Sequence, residues 1–589
     1  MTNKLQTLFP QKGAYAGADT VNHAGAPAFT RSLEEQAVQV LMTGNLESTY
    51  YCSAENLANE AIAILTKMAA KDPEFLAQAI LYARNEGYLR VAPIVGLLVL
   101  SKARPDLFRR IFDKVILQPG DLQDFVTLVR SKSVRSTGKS VRKAVGDWLN
   151  RISEYHVVKY GAPQKKPGAG SPTNLRDVLR LIHPKPADEA RQVLFSYIVS
   201  RIKGTELSKE EISKLPPKIK GYEDFKFLTQ TPESAKANEK VALELVIEHD
   251  LPYEVVTARL STPAAWKALA SKAPFMNMLR NLNNYEKNGV FKDKELKAKV
   301  IARLTNPEQV AKSKQFPFRF LAAYNAFQGD AEVRDALVRA VELSVSNIPD
   351  LGRTLVAPDE SGSMEHPVSD RSDITMKQIG NLFAAALWKR SDGGFMVPFD
   401  TQAYPVGYGG RVSANKRDSI VTVAQQLGVY SGGTNLSAPL EWALGQSFDT
   451  GVFITDSESW ADLLAGGNYR YGNRGVLDKI RAYRAKNPKT QFFFIQLVQN
   501  TALAAPQNEP GVHYIFGWSD AVLRYIGQAV SGKGQISAVR AVEIPKLEVV
   551  PVAPVVSAPA RKAVKPQKVV VKPTKPSKVV VKPKKARRA

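Results

Sequence analysis

A chain of 589 residues is too long for one hydrophobic core and predicts several cores, or a repeat assembly joined to a further domain. The formal net charge of +25 favours a polyanionic partner such as RNA, DNA or an acidic membrane face. A single cysteine, Cys52, excludes an internal disulfide framework, and the longest strongly apolar run, Val91 to Leu100, is too short to span a bilayer. With no apolar leader in Met1 to Gly17, the expectation is a soluble cytoplasmic protein without membrane association.

Residues 1–30, rich in Gly, Ala and polar residues, read as a flexible lead-in. From residue 31 to 349 the pattern is helical almost throughout. Leu57, Ala61, Leu65 and Met68 recur on one helical face, and Leu76, Ala79, Ile80 and Ala83 on another. Asp72-Pro73, Thr231-Pro232, Thr262-Pro263 and Asn306-Pro307 each put a capping oxygen before a proline at the first helical position, and Ser208 with Glu211 forms a capping box. Many short helices without strand signals predict stacked helical pairs, an irregular solenoid rather than a compact bundle.

From residue 350 to 544 the texture changes. Short apolar runs at 354–357, 394–398, 451–455, 491–497 and 512–516 alternate with helical patterns at 374–390, 417–427 and 476–485. That alternation predicts an α/β doubly wound domain with a parallel sheet. Residues 545–589 are Pro, Val, Ala and Lys. They contain a near-copy, Lys568 to Pro573 and Lys578 to Pro583, and from Arg561 onward twelve Lys or Arg with no acid, about half of the whole charge excess. This reads as a disordered basic tail, able to lend nonspecific nucleic-acid affinity.

The helical and alternating halves meet at Asp359-Glu-Ser-Gly-Ser-Met364, a loop between a predicted strand and a predicted helix. Asp359, Ser361 and Ser363 offer three oxygens from alternate residues. A doubly wound sheet would bring Thr434, in Ser431-Gly-Gly-Thr-Asn435, and Asp456, after Val452 to Thr455, to the same sheet edge. Hard divalent cations, Mg2+ above all, take such ligands. The set resembles the metal-ion-dependent adhesion site (MIDAS) of von Willebrand factor A domains, which implies an open coordination position for a partner's carboxylate. Pro358 departs from that pattern, because proline cannot donate to a central ladder. It predicts a strand ending one residue early or an altered local geometry.

Chemistry has less support. A phosphotransferase loop of the Asp-x-Asp type would need a second carboxylate where Ser361 stands. The six histidines do not cluster, and there is no Gly-x-x-x-x-Gly-Lys loop. No catalytic residue is expected.

Two basic clusters mark the helical half. Arg130, Lys132, Arg135, Lys139, Arg142 and Lys143 fall in a stretch without acids. As a helix, that stretch would put Arg135, Lys139, Arg142 and Lys143 opposite an apolar face of Val141, Val145, Trp148 and Leu149. Lys159, Lys165, Lys166, Arg176, Arg180, His183 and Lys185 follow, with Pro184 ending a helix. Taken singly, these residues read first as solvated cations or helix-end caps; the two clusters together, on a stacked-helix scaffold, suit a phosphate backbone.

The order of Gly44 through Thr49-Tyr-Tyr51, Ala144-Val-Gly-Asp-Trp148, Lys159-Tyr160, Asp177 to Lys185, Leu279-Arg-Asn-Leu282 and Leu304-Thr-Asn306 resembles the Ro60/TROVE-domain family, over residues 20–543. The resemblance implies a ring of HEAT-like helical repeats closed by the A-like domain. It further implies small noncoding Y-like RNA on the outer surface, and single-stranded 3′ ends of misfolded or structured RNA in the central hole. The role implied is RNA quality control or degradation, with an exoribonuclease tethered through RNA. It assigns RNA contacts to Lys159 and His183 and, through the Arg-Asn motif, to Arg280. The segment Gly161 to Pro172 is longer than the family pattern. The competing reading is a metal-dependent protein-adhesion module with the helical half as scaffold.

Overall fold

The computed structural model describes residues 19–21, 27–43, 54–130, 138–161, 173–203, 208–345, 348, 351–368, 373–409, 412–457, 461–463, 469–471, 474–498, 502–506, 509–517, 522, 526 and 534–546. The 44–51 motif, Lys132, Arg135, most of the 161–172 segment and nearly all of the tail lie outside them.

Between Leu33–Thr43 and Ala331–Ser344 the described chain is helix after helix. Every cap read from the sequence forms. Asp72, Thr231, Thr262 and Asn306 each accept the amide of the residue three positions on, and Ser208 and Glu211 cap each other's amides. The two predicted apolar faces are buried. Val91–Ala103 is apolar on all sides, and Ala92 through Ser101 are buried among the Ala54–Lys71, Pro73–Asn85, Pro105–Val115 and Pro119–Arg130 helices. That packing accounts for the long apolar run, and among the described residues no helix is long and apolar enough to cross a membrane.

Among the described residues ten short strands appear: β1 (Thr20–Val21), β2 (Pro27–Thr30), β3 (Thr354–Pro358), β4 (Phe395–Met396), β5 (Thr450–Thr455), β6 (Ala461–Leu463), β7 (Tyr469–Tyr471), β8 (Gln491–Gln496), β9 (Ala502–Leu503) and β10 (Val512–Phe516). Five make a parallel sheet in the order β10-β8-β5-β3-β4, with β5 in the middle and β3 between it and the edge strand β4. Its inner strands are buried along their length, which is why they read as continuous apolar runs. The chain leaves β3 for β4 on one side and returns to β5 on the other, so a topological switch point lies between the ends of β3 and β5.

Pro358 belongs to β3 and pairs with Ile454, so the strand does not stop early. The Val356 and Pro358 carbonyls accept from Val397 and Phe399 on the β4 side, whereas Asp359 N–H donates to Ile454 on the β5 side. The missing proline N–H therefore faces the two-residue edge strand, where one lost bond is tolerated.

The lead-in expected over 1–30 is corrected at its end. β2 is buried at Ala28 and Phe29 and pairs with β9 of the A-like domain. Beside it the buried Arg31 donates to Gln496 Oε1 and lies over the Phe516 and Tyr514 rings at 4.9 and 5.6 Å. From the other end, the Gln535–Arg540 helix packs on Pro73–Asn85. Its continuation is strapped down by Gln78 donating to the Arg540 and Val542 carbonyls and by Arg110 donating to those of Ile544 and Pro545. The last helices of the repeat run, Pro317–Ala326 and Ala331–Ser344, pack on Met376–Arg390 and Ile420–Gln426. The helical run thus meets the A-like domain at both of its ends, and the circuit is closed.

Candidate functional site

The loop after β3 is pinned by the sheet itself. Asp359 N–H donates to Ile454 O at 2.9 Å and Glu360 N–H to Phe399 O at 2.7 Å, extending the ladder past Pro358 on both sides. Asp359 Oδ1 then accepts the Ser361 amide at 2.9 Å, and Oδ2 accepts the Thr455 hydroxyl at 2.6 Å. Ser361 Oγ and Ser363 Oγ lie 3.1 Å apart. Gly362 N–H donates to Gly432 O at 2.9 Å, which brings the 431–435 loop against this one. Asp359, Ser361, Ser363, Thr434 and Asp456 are all buried, none more than 7% exposed.

Two carboxyls the sequence reading passed over complete this edge. Asp400 Oδ2 accepts the Gly432 amide at 2.9 Å, Oδ1 accepts the Tyr404 hydroxyl at 2.7 Å, and the Asp400 carbonyl accepts the Asn435 amide at 2.8 Å. A side chain at 432 would put its Cβ 2.6 Å from Asp400 Oδ2, so the loop needs glycine there. The available signal was an acid directly after an apolar run, the same signal that marks Asp359 and Asp456. Glu360 is fully buried and accepts the Gly428 amide at 2.8 Å; burial pushes its carboxyl up to about 7 against the pull of that amide and of the Lys377 charge. Asp359 is likewise raised by burial, which outweighs the hydrogen bonds from Ser361 and Thr455. The cluster is all oxygen, with two adjacent buried carboxyls and hydroxyls at the switch point. Those groups fit a hard divalent cation that keeps some of its water.

The basic residues divide by neighbourhood. On the Lys139–Leu149 helix, Lys139, Arg142 and Lys143 are exposed while Val141, Val145, Trp148 and Leu149 are buried, and Lys143 pairs with Asp147 at 3.3 Å. The Leu175–Ile182 helix exposes Arg180 and part of Arg176, and ends at His183, whose φ of 49° makes the left-handed cap before Pro184. Asn150 ties these two helices together. Its amide donates to Lys185 O at 3.0 Å and its Oδ1 accepts the Ala187 amide at 3.0 Å. Arg130 joins the same group through Thr173, at 3.4 Å. Lys159 has other neighbours: its ammonium pairs with Glu254 Oε1 at 2.8 Å and lies 5.6 Å from the Tyr160 ring. Arg280 is exposed at the end of Phe275–Arg280, far along the helical run, and its charge bears on Arg319.

Fold and site together define a class: a closed circuit of stacked helices carrying exposed cations, completed by an A-like domain with an oxygen-rich loop cluster at its switch point. The TROVE domain model matches residues 21–249 and 253–369, and the Ro60 vWA domain model matches residues 353–529. The chain belongs to the TROVE-domain family. It is 24% identical over 466 residues to the RNA-binding protein RO60 of Deinococcus radiodurans, covering 75% of this chain and 83% of that one. It is 27% identical over 307 residues to telomerase protein component 1 of Rattus norvegicus, covering 45% of this chain and 11% of that one. The crystal structure of the Deinococcus radiodurans RO (RSR) protein superposes with a TM-score of 0.58 at 19% identity, covering 85% of this chain and all of that one, a likeness of fold.

Proposed function

We propose that the chain is a noncatalytic RNA-binding protein. In this reading it carries a small structured noncoding RNA of the Y type on its basic outer helical surface. Single-stranded 3′ ends of misfolded or structured RNAs enter the closed circuit, and an exoribonuclease is recruited through the RNA for quality control or degradation. The observation that carries the reading is the group of exposed cations on Lys139–Leu149 and Leu175–Ile182, two helices locked side by side by Asn150. Phosphates would be contacted by Arg130, Lys139, Arg142, Arg176, Arg180, His183 and Lys185, with Lys159 and, farther along the helical run, Arg280 as separate contacts. The likeness to an RNA-binding relative supports it. The test is to recover the protein from its own cells, sequence the associated RNA, and measure affinity for that RNA against salt. A steep fall of log affinity with log salt is expected, and salt-independent binding defeats the reading.

In the same proposal Asp359, Ser361, Ser363, Thr434 and Asp456 hold a divalent cation, Mg2+ by ligand type, which when bound offers a coordination position for an acidic group of a protein partner. One observation favours this adhesion role beside RNA binding: Tyr408 and Val429 are exposed near the stacked Tyr404–Tyr430 pair, next to the 431–435 loop. Chelation that abolishes protein capture while RNase leaves it intact would make adhesion primary; the reverse pattern makes RNA primary.

A further inference from the structure

The Pro105–Val115 helix is sharply two-faced. Leu107, Phe108, Ile111, Phe112 and Val115 are buried, with Phe108 and Phe112 packed on Phe125 at ring distances of 5.9 and 5.5 Å. Its other face, Arg109, Arg110, Asp113 and Lys114, forms one wall of a groove of about 540 Å³. The opposite wall is the turn from Trp148 to His156, and the strap residues Pro545 and Lys546 close one end.

Five cations and one carboxylate line this groove. The carboxylate, Asp113, is taken by Arg151 at 2.6 Å, and Arg110 is spent on the strap carbonyls. Among the described residues no carboxylate pairs with Arg109 or Lys114. Between the cations the lining includes apolar side chains. Leu117 is 53% exposed, while Ile152 and Trp148 are buried in the lining, the indole held by its N–H donating to Ile116 O at 2.8 Å. His156 lines the groove, and burial and the Lys159 charge lower its pKa, so it presents a neutral ring. Lys159 is one helical turn further along the same helix.

Cations at the walls with an apolar and imidazole floor are what an unpaired nucleotide needs: phosphates on the rim, a base face below. A duplex, whose bases are stacked inside, could use only the rim. We infer that this groove is a binding site for single-stranded RNA, with backbone phosphates on Arg109 and Lys114 and a base against Leu117 and His156. The inference rests on the RNA-binding reading above and adds a site that borders the helix pair locked by Asn150, sharing Trp148 of the Lys139–Leu149 helix with it.

The test uses the full chain, an oligouridylate of about twelve nucleotides and a blunt RNA duplex of the same length. R109A/K114A changes two surface side chains, and its melting temperature is compared with that of the unsubstituted protein as a check on folding. The expected result is about tenfold weaker binding of the oligouridylate, with a log–log salt slope shallower by about 1.4 for two lost phosphate contacts, and little change for the duplex. R109K/K114R should restore the affinity. Crosslinking with 4-thiouridine should map to the 109–117 or 151–156 peptides. An unchanged oligouridylate affinity, or equal losses for oligouridylate and duplex, overturns the groove assignment. If the unsubstituted chain binds neither RNA, the RNA reading itself fails.

Discussion

Lys159 does not face solvent as a free cation. Glu254 occupies, at 2.8 Å, the place a phosphate oxygen would take, and burial and the hydrogen bond together show that the pair is half shielded from water. A nucleic acid binding at Lys159 must displace that carboxylate. Glu254→Gln is therefore expected to strengthen RNA binding a few-fold, while Lys159→Ala weakens it and flattens the salt dependence by roughly one phosphate contact, both read by fluorescence anisotropy across a salt series. If the loop after β3 holds the proposed cation, the buried Asp359 carboxyl, which burial holds toward its neutral form, would be stabilised as a carboxylate by it. Millimolar Mg2+ is expected to raise the melting temperature of the unsubstituted chain, by an amount equivalent to about 2.7 kcal/mol when the ion is at a hundred times its dissociation constant. Asp359→Ala should melt at the same temperature with Mg2+ or with a chelator.

At the scale of elements, the joint between β2 and the A-like domain turns on Arg31. Its guanidinium is buried with Glu35, Gln496 and two aromatic rings around it. Arg31→Met leaves Glu35 without its buried counter-charge and should cost about 3 kcal/mol in chemical denaturation. The pair also sets a pH dependence. Burial raises Glu35 to about 7 from 4.5, against the Arg31 charge, so the folded protein holds this proton more tightly than the unfolded chain. The associated stability is fully present below about pH 4.5 and is lost as pH rises through about 7. The fall in melting temperature from pH 5 to pH 8 should be smaller in Glu35→Gln.

This joint also marks the limit of what the sequence alone conveys. Helix caps, the parallel strands and the oxygen-bearing loop were legible because each is a local pattern, such as Asp72 before Pro73 or Asp456 after Val452 to Thr455. β2 was not, because a four-residue strand whose sheet is completed by Ala502–Leu503, far off in the chain, has no periodicity of its own. Asp400 escaped for the same reason: its importance lies in the Gly432 amide it accepts, 32 residues away. Nor does charge counting separate Arg109, which no carboxylate among the described residues answers, from Lys159, which Glu254 neutralises.

On the scale of the whole molecule, the excess charge is divided between an ordered scaffold and a tail outside the described residues. Removing residues 547–589 leaves the strap through Lys546 in place, so the fold should melt unchanged while affinity for all RNAs falls alike. Electrophoretic mobility shifts with unrelated RNAs would check this, and a change in which RNA is preferred would contradict it.

The clasp formed by Arg31 and Gln496 joins residues 465 positions apart. A ribosome adding 5–20 residues per second needs about 20–90 s to make the second after the first. During that interval β2 has only β1 to pair with, its Phe29 side facing β9 stays uncovered, and the helices already made can stack only as an open arc. Circularity is therefore the last property this protein acquires, and a nascent chain stalled before β8 would expose an apolar strand edge to chaperones rather than a finished scaffold to its ligands.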